Sequence, residues 1–333
     1  MTVVLGIEST AHTASVGLVD ESARVLGLAS DMYRPPVGGI HPREAANHHV
    51  ELLPGLVARA LEAARIRPSE IEGVAFAQGP GLGPCLRAGA TVARTLSLLW
   101  DRPLLPVNHC VAHVEIARVL SGLDDPILLY ASGGNTQVIV HGAGRYRVLG
   151  ETLDIGIGNF LDKLWIALGG TFPGGPALEA EARKGGPELL ALPYSVHGMD
   201  VAFSGMLTAA LALYRRGVPR SQIAYSVECT AYAMLVEITE RALAHRRRSQ
   251  VVLGGGVACN ERLRGMVREM VEGRGGVAFA PPRSLCVDNG AMIGWTGLLA
   301  LRAGARSAVE DSAVLPRQRT DLVPTPWRPE NAA

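Results

Sequence analysis

The sequence predicts an α/β chain folded into two lobes with a cleft between them. Three observations carry that expectation. A length of 333 residues corresponds to about two domains at roughly 150 residues each. A strand–turn–strand unit at residues 2–19 recurs at 127–149, and alternating strands and helices follow each copy. Turns rich in glycine and hydroxyl residues stand directly after strands, and a cleft between α/β lobes is a preferred ligand site.

The elements follow in order. Residues 2–7 (TVVLGI) form a buried strand and 13–19 (TASVGLV) its hairpin partner, joined by a turn of small and hydroxyl residues. Pro and Gly make 34–43 a loop. A helix over 43–66 stops before Arg67-Pro68, and strand 73–78 leads through Gly79-Pro-Gly-Leu-Gly-Pro84 into helix 85–99. Strand 104–107 and helix 109–120 close the first cycle at Asp124-Asp125-Pro126. The second cycle has strands at 127–131, 136–141 and 145–149, then helices at 158–168, 176–184, 204–216 and 220–246. Strand 250–254, helix 260–272, strand 277–280 and helix 288–302 complete it. The division is an N-terminal lobe over 1–125, a C-terminal lobe over 126–305, and a tail over 306–333 returning to the first lobe.

Composition narrows the function classes. With 48% hydrophobic and 19% charged residues, disorder is excluded. Surface scaling gives about 13,000 Å² folded against about 51,000 Å² unfolded, enough for two cores without disulfides. No apolar run reaches 18 residues, and Glu8 interrupts the first strand, so neither a membrane span nor a signal peptide is expected. Five widely spaced cysteines form no CxxC pair, which points to a reduced, cytoplasmic setting. Net charge is +1, so there is no global basic signature. Local arginine runs at 215–216, 246–248 and 317–319 are candidates for nucleic-acid phosphate contact or simply for solubility.

Three turns follow strands: Gly6–Thr13, Ser132-Gly-Gly-Asn-Thr136 and Gly254–Asn260. Glycines let backbone N–H groups approach phosphate closely, and the third turn opens a helix whose N-terminus favours an anion. The set resembles the phosphate, phosphate and adenosine segments of the two-lobed actin/Hsp70-like (ASKHA) nucleotide-binding fold. No P-loop or Rossmann fingerprint is present.

His109 and His113 stand at i, i+4 on one helix face, a spacing that suits a transition metal or two ordinary polar flank residues. Cys110 occupies the position where a metalloprotease needs its glutamate base, which disfavours that reading. Asp288 is a lone carboxylate whose ordinary role is a helix N-cap, and Tyr130 an ordinary strand aromatic. Asp162 and Glu179 follow glycine-rich turns and could accept ribose hydroxyls. His48 and His49 flank the 34–43 loop and are candidate proton acceptors. An ATPase or sugar kinase of the same fold would use the same glycine turns but would hold Mg²⁺ through oxygen, with no need of two imidazoles.

Gly39–Ala46, Gly79–Arg87, Asn108–His113, Tyr130–Asn135, Phe203-Ser-Gly205, Gly254–Asn260 and Asp288–Met292 together resemble the TsaD/Kae family across roughly residues 2–322. The resemblance implies transfer of a threonylcarbamoyl group from threonylcarbamoyl-AMP to N6 of the tRNA adenosine 3′ of the anticodon. Glu8-Ser-Thr-Ala-His12, Tyr130-Ala-Ser132, Glu237–Glu240 and Arg319-Thr-Asp321 look like the archaeal/eukaryotic branch. That branch works in the KEOPS complex with a small kinase/ATPase, a dimerising tRNA-binding subunit and a subunit contacting the tRNA 3′ end. The implied metal ligands are His109, His113, Tyr130 and Asp288, for Fe²⁺ or Zn²⁺, with His109, His113 and Asp288 acting in catalysis through the metal. The implied nucleotide and substrate contacts are Tyr130, Ala131, Ser132, Gly133, Gly134, Asp162, Gly175, Glu179 and Asn260. Asn47 and Lys163-Leu-Trp165 depart from the family's usual residues.

Overall fold

The computed structural model describes residues 1–36 and 38–328; Val37 of the expected loop and 329–333 of the expected tail lie outside the described residues. The first lobe contains β1 (Val3–Glu8), β2 (Thr13–Asp20), β3 (Val25–Met32), α1 (Pro42–Ala64), β4 (Gly73–Gly79), α2 (Gly83–Trp100), β5 (Leu104–Asn108) and α3 (His109–Ser121). The second cycle runs β6 (Ile127–Ala131), β7 (Thr136–Gly142), β8 (Arg145–Glu151), α4 (Ile157–Ala167) and α5 (Gly174–Ala182). It continues with β9 (Val196–His197), β10 (Asp200–Val201), α6 (Ser204–Arg215), α7 (Arg220–Arg246) and β11 (Gln250–Gly254). Then come α8 (Glu261–Gly273), β12 (Val277–Phe279), α9 (Arg283–Cys286) and α10 (Gly290–Arg302). No helix among the described residues is long and apolar enough to cross a membrane.

Two sheets repeat one topology. The first has the order β3-β2-β1-β4-β5, with β1–β3 antiparallel and β1, β4 and β5 parallel. The second, β8-β7-β6-β11-β12, has the same pattern. Strands β1 and β2 are buried along their whole length, as continuous apolar runs require when both sheet faces are covered. β3 is an element that the sequence reading lacks. Its polar and half-exposed residues (VLGLASDM) carry no strong period, and pairing with β2 decides the conformation.

α3 lies between the sheets. Ala112 and Ile116 join the core beneath the first sheet, and Cys110, Val111, Val114 and Ala117 join the core of the second. α10 requires a correction to the expected division at 305, which assigns it to the C-terminal lobe. It packs on the first sheet, with Ala291, Met292, Ile293 and Leu298 in that core. The reason is steric. A Cβ built on Gly6 would lie 2.1 Å from the Gly294 nitrogen and 2.2 Å from the Gly290 oxygen, so only glycines allow this approach.

The tail begins on the first lobe and then leaves it. Ser307 bridges to Leu104, Arg94 donates to Ser312, and the Leu315 amide donates to the Gln78 carbonyl at 2.8 Å. From Thr320 it crosses to the second lobe. Trp327 Nε1 and the Tyr146 hydroxyl both donate to the wholly buried Glu115, at 2.8 and 2.7 Å. Arg328 donates to the Tyr146 oxygen at 3.1 Å.

Candidate metal centre at the lobe junction

Asn108 ends β5 and caps α3, its Oδ1 accepting from the Val111 amide at 3.0 Å. The cap sets the start of the helix, so His109 and His113 stack one turn apart with ring centroids 4.8 Å apart. Tyr130 enters from the end of β6, with its side chain fully buried. Asp288 lies in the connection between α9 and α10. It does not cap α10, because Asn289 does so through Met292 N at 2.9 Å. Its carboxylate is therefore free to face the histidines.

Four donor atoms converge. His109 Nε2 lies 3.0 Å from the Tyr130 hydroxyl and 3.5 Å from Asp288 Oδ1, and His113 Nε2 lies 3.2 Å from that same oxygen. A tetrahedron with metal bonds of about 2.0–2.1 Å has edges of about 3.4 Å, so these three separations are close to the edges of a coordination shell. The ligand atoms of His109, His113 and Asp288 all lie within 4.8 Å of one another. Neutral imidazole nitrogen with anionic oxygen suits iron or zinc. The residues present fit a transition metal.

Glu8, at the end of β1, completes the set. Its Oε2 accepts from His109 Nδ1 at 2.9 Å, which fixes the tautomer and aims Nε2 at the cluster. Burial works against charge on His109, but Glu8 and then Asp288 together raise its pKa to about 9. Burial likewise opposes ionisation of Asp288, yet His109 and His113 hold it well below the carboxylate range. Burial lowers His113 and pushes the Tyr130 phenol well up. Glu8 and Asp288 thus favour positive charge on the His109 ring between them. His113 Nδ1 is buried with no hydrogen-bond partner among the described residues.

The expected nucleotide contacts lie at the end of β6 and on the turn after it, on α4 and α5, and at the cap of α8. Ala131 ends β6, and the Ser132–Asn135 turn is closed by Ser132 N donating to Asn135 O at 2.9 Å. α4 docks on this turn, Gly158 N donating to Ser132 O at 3.0 Å and Asn159 N to Gly133 O at 2.9 Å. Nothing lies within 4 Å of a Cβ built on Gly134 or Gly175. Asp162 accepts from the Gly174 amide at 2.6 Å, and burial raises its pKa. Glu179 accepts from the Glu261 amide at 3.2 Å, joining α5 to the start of α8. Asn260 caps α8 through Leu263 N at 3.1 Å and donates to Glu228 at 2.8 Å, so most of its side chain is already engaged. Glu228, buried on α7, and Glu8 are residues that the sequence reading missed.

His48 and His49 need correction as proton acceptors. His49 Nε2 donates to the Ala11 carbonyl at 3.0 Å, its Nδ1 is 3.2 Å from His48 Nδ1, and His48 Nε2 donates to Asp31 at 2.8 Å. Burial first, and then His48, lower the His49 pKa from 6.5 to about 4. Such a ring is neutral in the fold and protonates in the unfolded chain. Its stabilisation is therefore intact above pH 6.5 and lost as pH falls toward 4. Urea unfolding of the wild type is expected to lose up to about 3 kcal/mol more across this window than His49→Gln. Identical pH dependence in the two proteins would refute this.

The arginine runs are only partly free. Arg248 pairs with Asp125 and Arg319 with Asp321, whereas Arg215, Arg216, Arg246, Arg247 and Arg317 are exposed.

A family model described as tRNA N6-adenosine threonylcarbamoyltransferase matches residues 25–295. A protein of Thermococcus kodakarensis bearing that same name is 52% identical over 326 residues, covering 98% of this chain and 99% of its own. A "probable bifunctional tRNA threonylcarbamoyladenosine biosynthesis protein" of Thermoplasma volcanium is 51% identical over 98% of this chain. The chain spans 61% of that relative's length. Among solved structures, HypF of T. kodakarensis superposes with a TM-score of 0.64 at 18% identity, covering 91% of this chain and 48% of HypF. Component A of (R)-2-hydroxyglutaryl-CoA dehydratase from Acidaminococcus fermentans gives 0.56 at 14%, covering 89% and 97%. These two likenesses concern the fold, which is the two-lobed actin/Hsp70-like architecture expected from the sequence.

Proposed function

Because this chain belongs to the tRNA N6-adenosine threonylcarbamoyltransferase family, we propose that it transfers a threonylcarbamoyl group from threonylcarbamoyl-AMP to N6 of the tRNA adenosine 3′ of the anticodon. The observation that carries this reading is the junction of four donor atoms beside an open glycine turn, in a chain about half identical to named transferases. His109, His113, Tyr130 and Asp288 would hold Fe²⁺ or Zn²⁺, which supplies Lewis acidity toward acyl and phosphate oxygens.

The chain's own residues do the rest. Glu8 keeps His109 in one tautomer. The Gly133 and Gly134 amides offer hydrogen bonds to phosphate oxygens and to the charge that develops on departing AMP. Asp162 and Glu179 accept ribose hydroxyls, Gly175 leaves room for the sugar, and Asn260 shapes the adenosine wall through its cap and its bond to Glu228. No serine or cysteine nucleophile is required, because the adenine amine attacks. Cys110, whose thiol burial pushes up to about 12, is unsuited to that role.

The substrates are then an adenylate in the cleft and a tRNA reading codons that begin with A. The partners are the KEOPS subunits: a small kinase/ATPase, a dimerising tRNA-binding subunit and a subunit contacting the tRNA 3′ end. The setting is the cytoplasm. The test mixes the purified chain with threonylcarbamoyl-AMP and unmodified tRNA, with and without those partners, followed by nucleoside mass spectrometry. Threonylcarbamoyladenosine is the expected product. Its absence even with partners present would overturn the proposal.

A further inference from the structure

A second polar space lies beside the metal ligands, and neither the nucleotide contacts nor the metal accounts for it. Strand register places it. Tyr130 on β6 pairs with Gln137 on β7, and Gln137 pairs with Glu151 on β8. Directly paired residues point to the same sheet face, so these three side chains stand in one row. Tyr130 reaches the metal cluster, and the other two, with Cys110 of α3, line a cavity of about 270 Å³. The opposite wall is the tail at 316–321, which is pinned rather than loose. Gln318 accepts from Asn108 Nδ2 at 3.1 Å and donates to Gln78 at 3.2 Å.

The groups in this cavity differ in how far they are satisfied. Arg319 is committed to Asp321 by two hydrogen bonds of 3.0 and 2.9 Å. Arg317 has no ion pair or hydrogen bond among the described residues. Gln137 donates from Nε2 to Glu151 at 3.1 Å, while its Oε1 is buried without a partner. The Asn135 side chain is likewise uncommitted among the described residues. Pro80 and Val148 add small apolar surfaces. No aromatic ring lines the cavity among the described residues, so it offers no stacking platform for a base.

One free guanidinium, amide groups and a little apolar surface suit a small fragment bearing one carboxylate, one hydroxyl and one methyl. Resting on the transferase reading, we infer that this cavity receives the threonyl end of the acyl donor, with Arg317 binding its carboxylate. The cavity adjoins the ligands, since Cys110 on its wall follows His109 and Gln137 pairs with Tyr130. The acyl carbon reacts beside the metal ligands, and the threonine carboxyl lies only about 4 Å further along the chain of bonds, the span of one residue. Gln137 and Glu151 then accept the hydroxyl proton, and Val148 and Pro80 face the methyl. Threonine is thereby distinguished from an acid that lacks the hydroxyl, since the buried Gln137 oxygen would stay unpaired.

The test measures binding without turnover. Calorimetry compares AMP, a stable threonylcarbamoyl adenylate with sulfamate in place of phosphate, and the threonine methyl ester of that analogue. The wild type is expected to prefer the acid over the ester by about tenfold or more, as for a charge-assisted arginine–carboxylate bond. In Arg317→Ala the preference should fall to about one, with AMP affinity unchanged. Arg317 is exposed, so the variant should fold, and a thermal melt checks that. A variant that keeps the wild-type preference would overturn the inference, as would a wild type without preference. Loss of tRNA affinity with the acid preference intact would assign Arg317 to the nucleic-acid backbone instead. Failure of the wild type and its partners to form threonylcarbamoyladenosine would sink the underlying transferase reading. That outcome is separate from the binding ratio.

Discussion

Asp288→Ala and His113→Ala are each expected to lower transfer at least about a thousandfold and to strip the protein of stoichiometric metal. Asp288 is the carboxylate of the donor set, with its Oδ1 at 3.2 Å from His113 Nε2 and 3.5 Å from His109 Nε2. Without it, two neutral rings and a phenol that burial keeps protonated must hold a dication in a buried site. Removing His113 takes away one of the four donors and leaves Asp288 with a single imidazole. Neither change should unfold the chain, because α10 keeps its Asn289 cap and α3 its Asn108 cap. Elemental analysis, the transfer assay and circular dichroism on the same samples separate loss of metal from loss of fold. Full metal content and activity in Asp288→Ala would disprove the assigned centre.

Gly6→Ala should destabilise by about 4 kcal/mol or more or prevent folding. Its new methyl would meet the backbone of α10 at two points, the Gly294 nitrogen at 2.1 Å and the Gly290 oxygen at 2.2 Å. Neither atom can rotate away, so α10 would have to lift off β1. Gly265→Ala gives the opposite sign. That glycine sits inside α8 with nothing within 4 Å of its Cβ position, and alanine should add about 0.5–1 kcal/mol. Chemical denaturation of the two variants against the wild type checks both. Equal stability of all three would contradict the close packing of α10.

Much of this architecture was legible in the residues. The repeated strand–turn–strand units became two sheets of one topology, because buried apolar runs and small-residue turns are local signals. The His109/His113 pair was legible from helical spacing. Asp288 and Tyr130 were not readable from spacing, since their meeting depends on how α10 crosses to the first sheet. Glu8 looked like the plain end of a strand, and nothing local ties it to a histidine about a hundred residues away. Asn260 and Glu228 form a pair that only the packing of α7 on α8 creates. β3 escaped because its partner, rather than its own pattern, makes it a strand. The tail's second half escaped for the same reason, since Trp327 and Arg328 answer to Glu115 and Tyr146.

The path of the chain between lobes has a mechanical consequence. The polypeptide passes from one lobe to the other at Gly122–Pro126, returns at Val287–Asn289, and passes again near Thr320. Two bodies tethered at one point can swing freely, whereas three tethers leave only small rotations about the line that best joins them. The second tether carries Asp288, and the third walls the cavity beside Tyr130. The donors are thus divided between bodies that must move together. Spreading the cleft would pull the Tyr130 hydroxyl of the second lobe away from the imidazoles, since α3 and α10 share the core of the first.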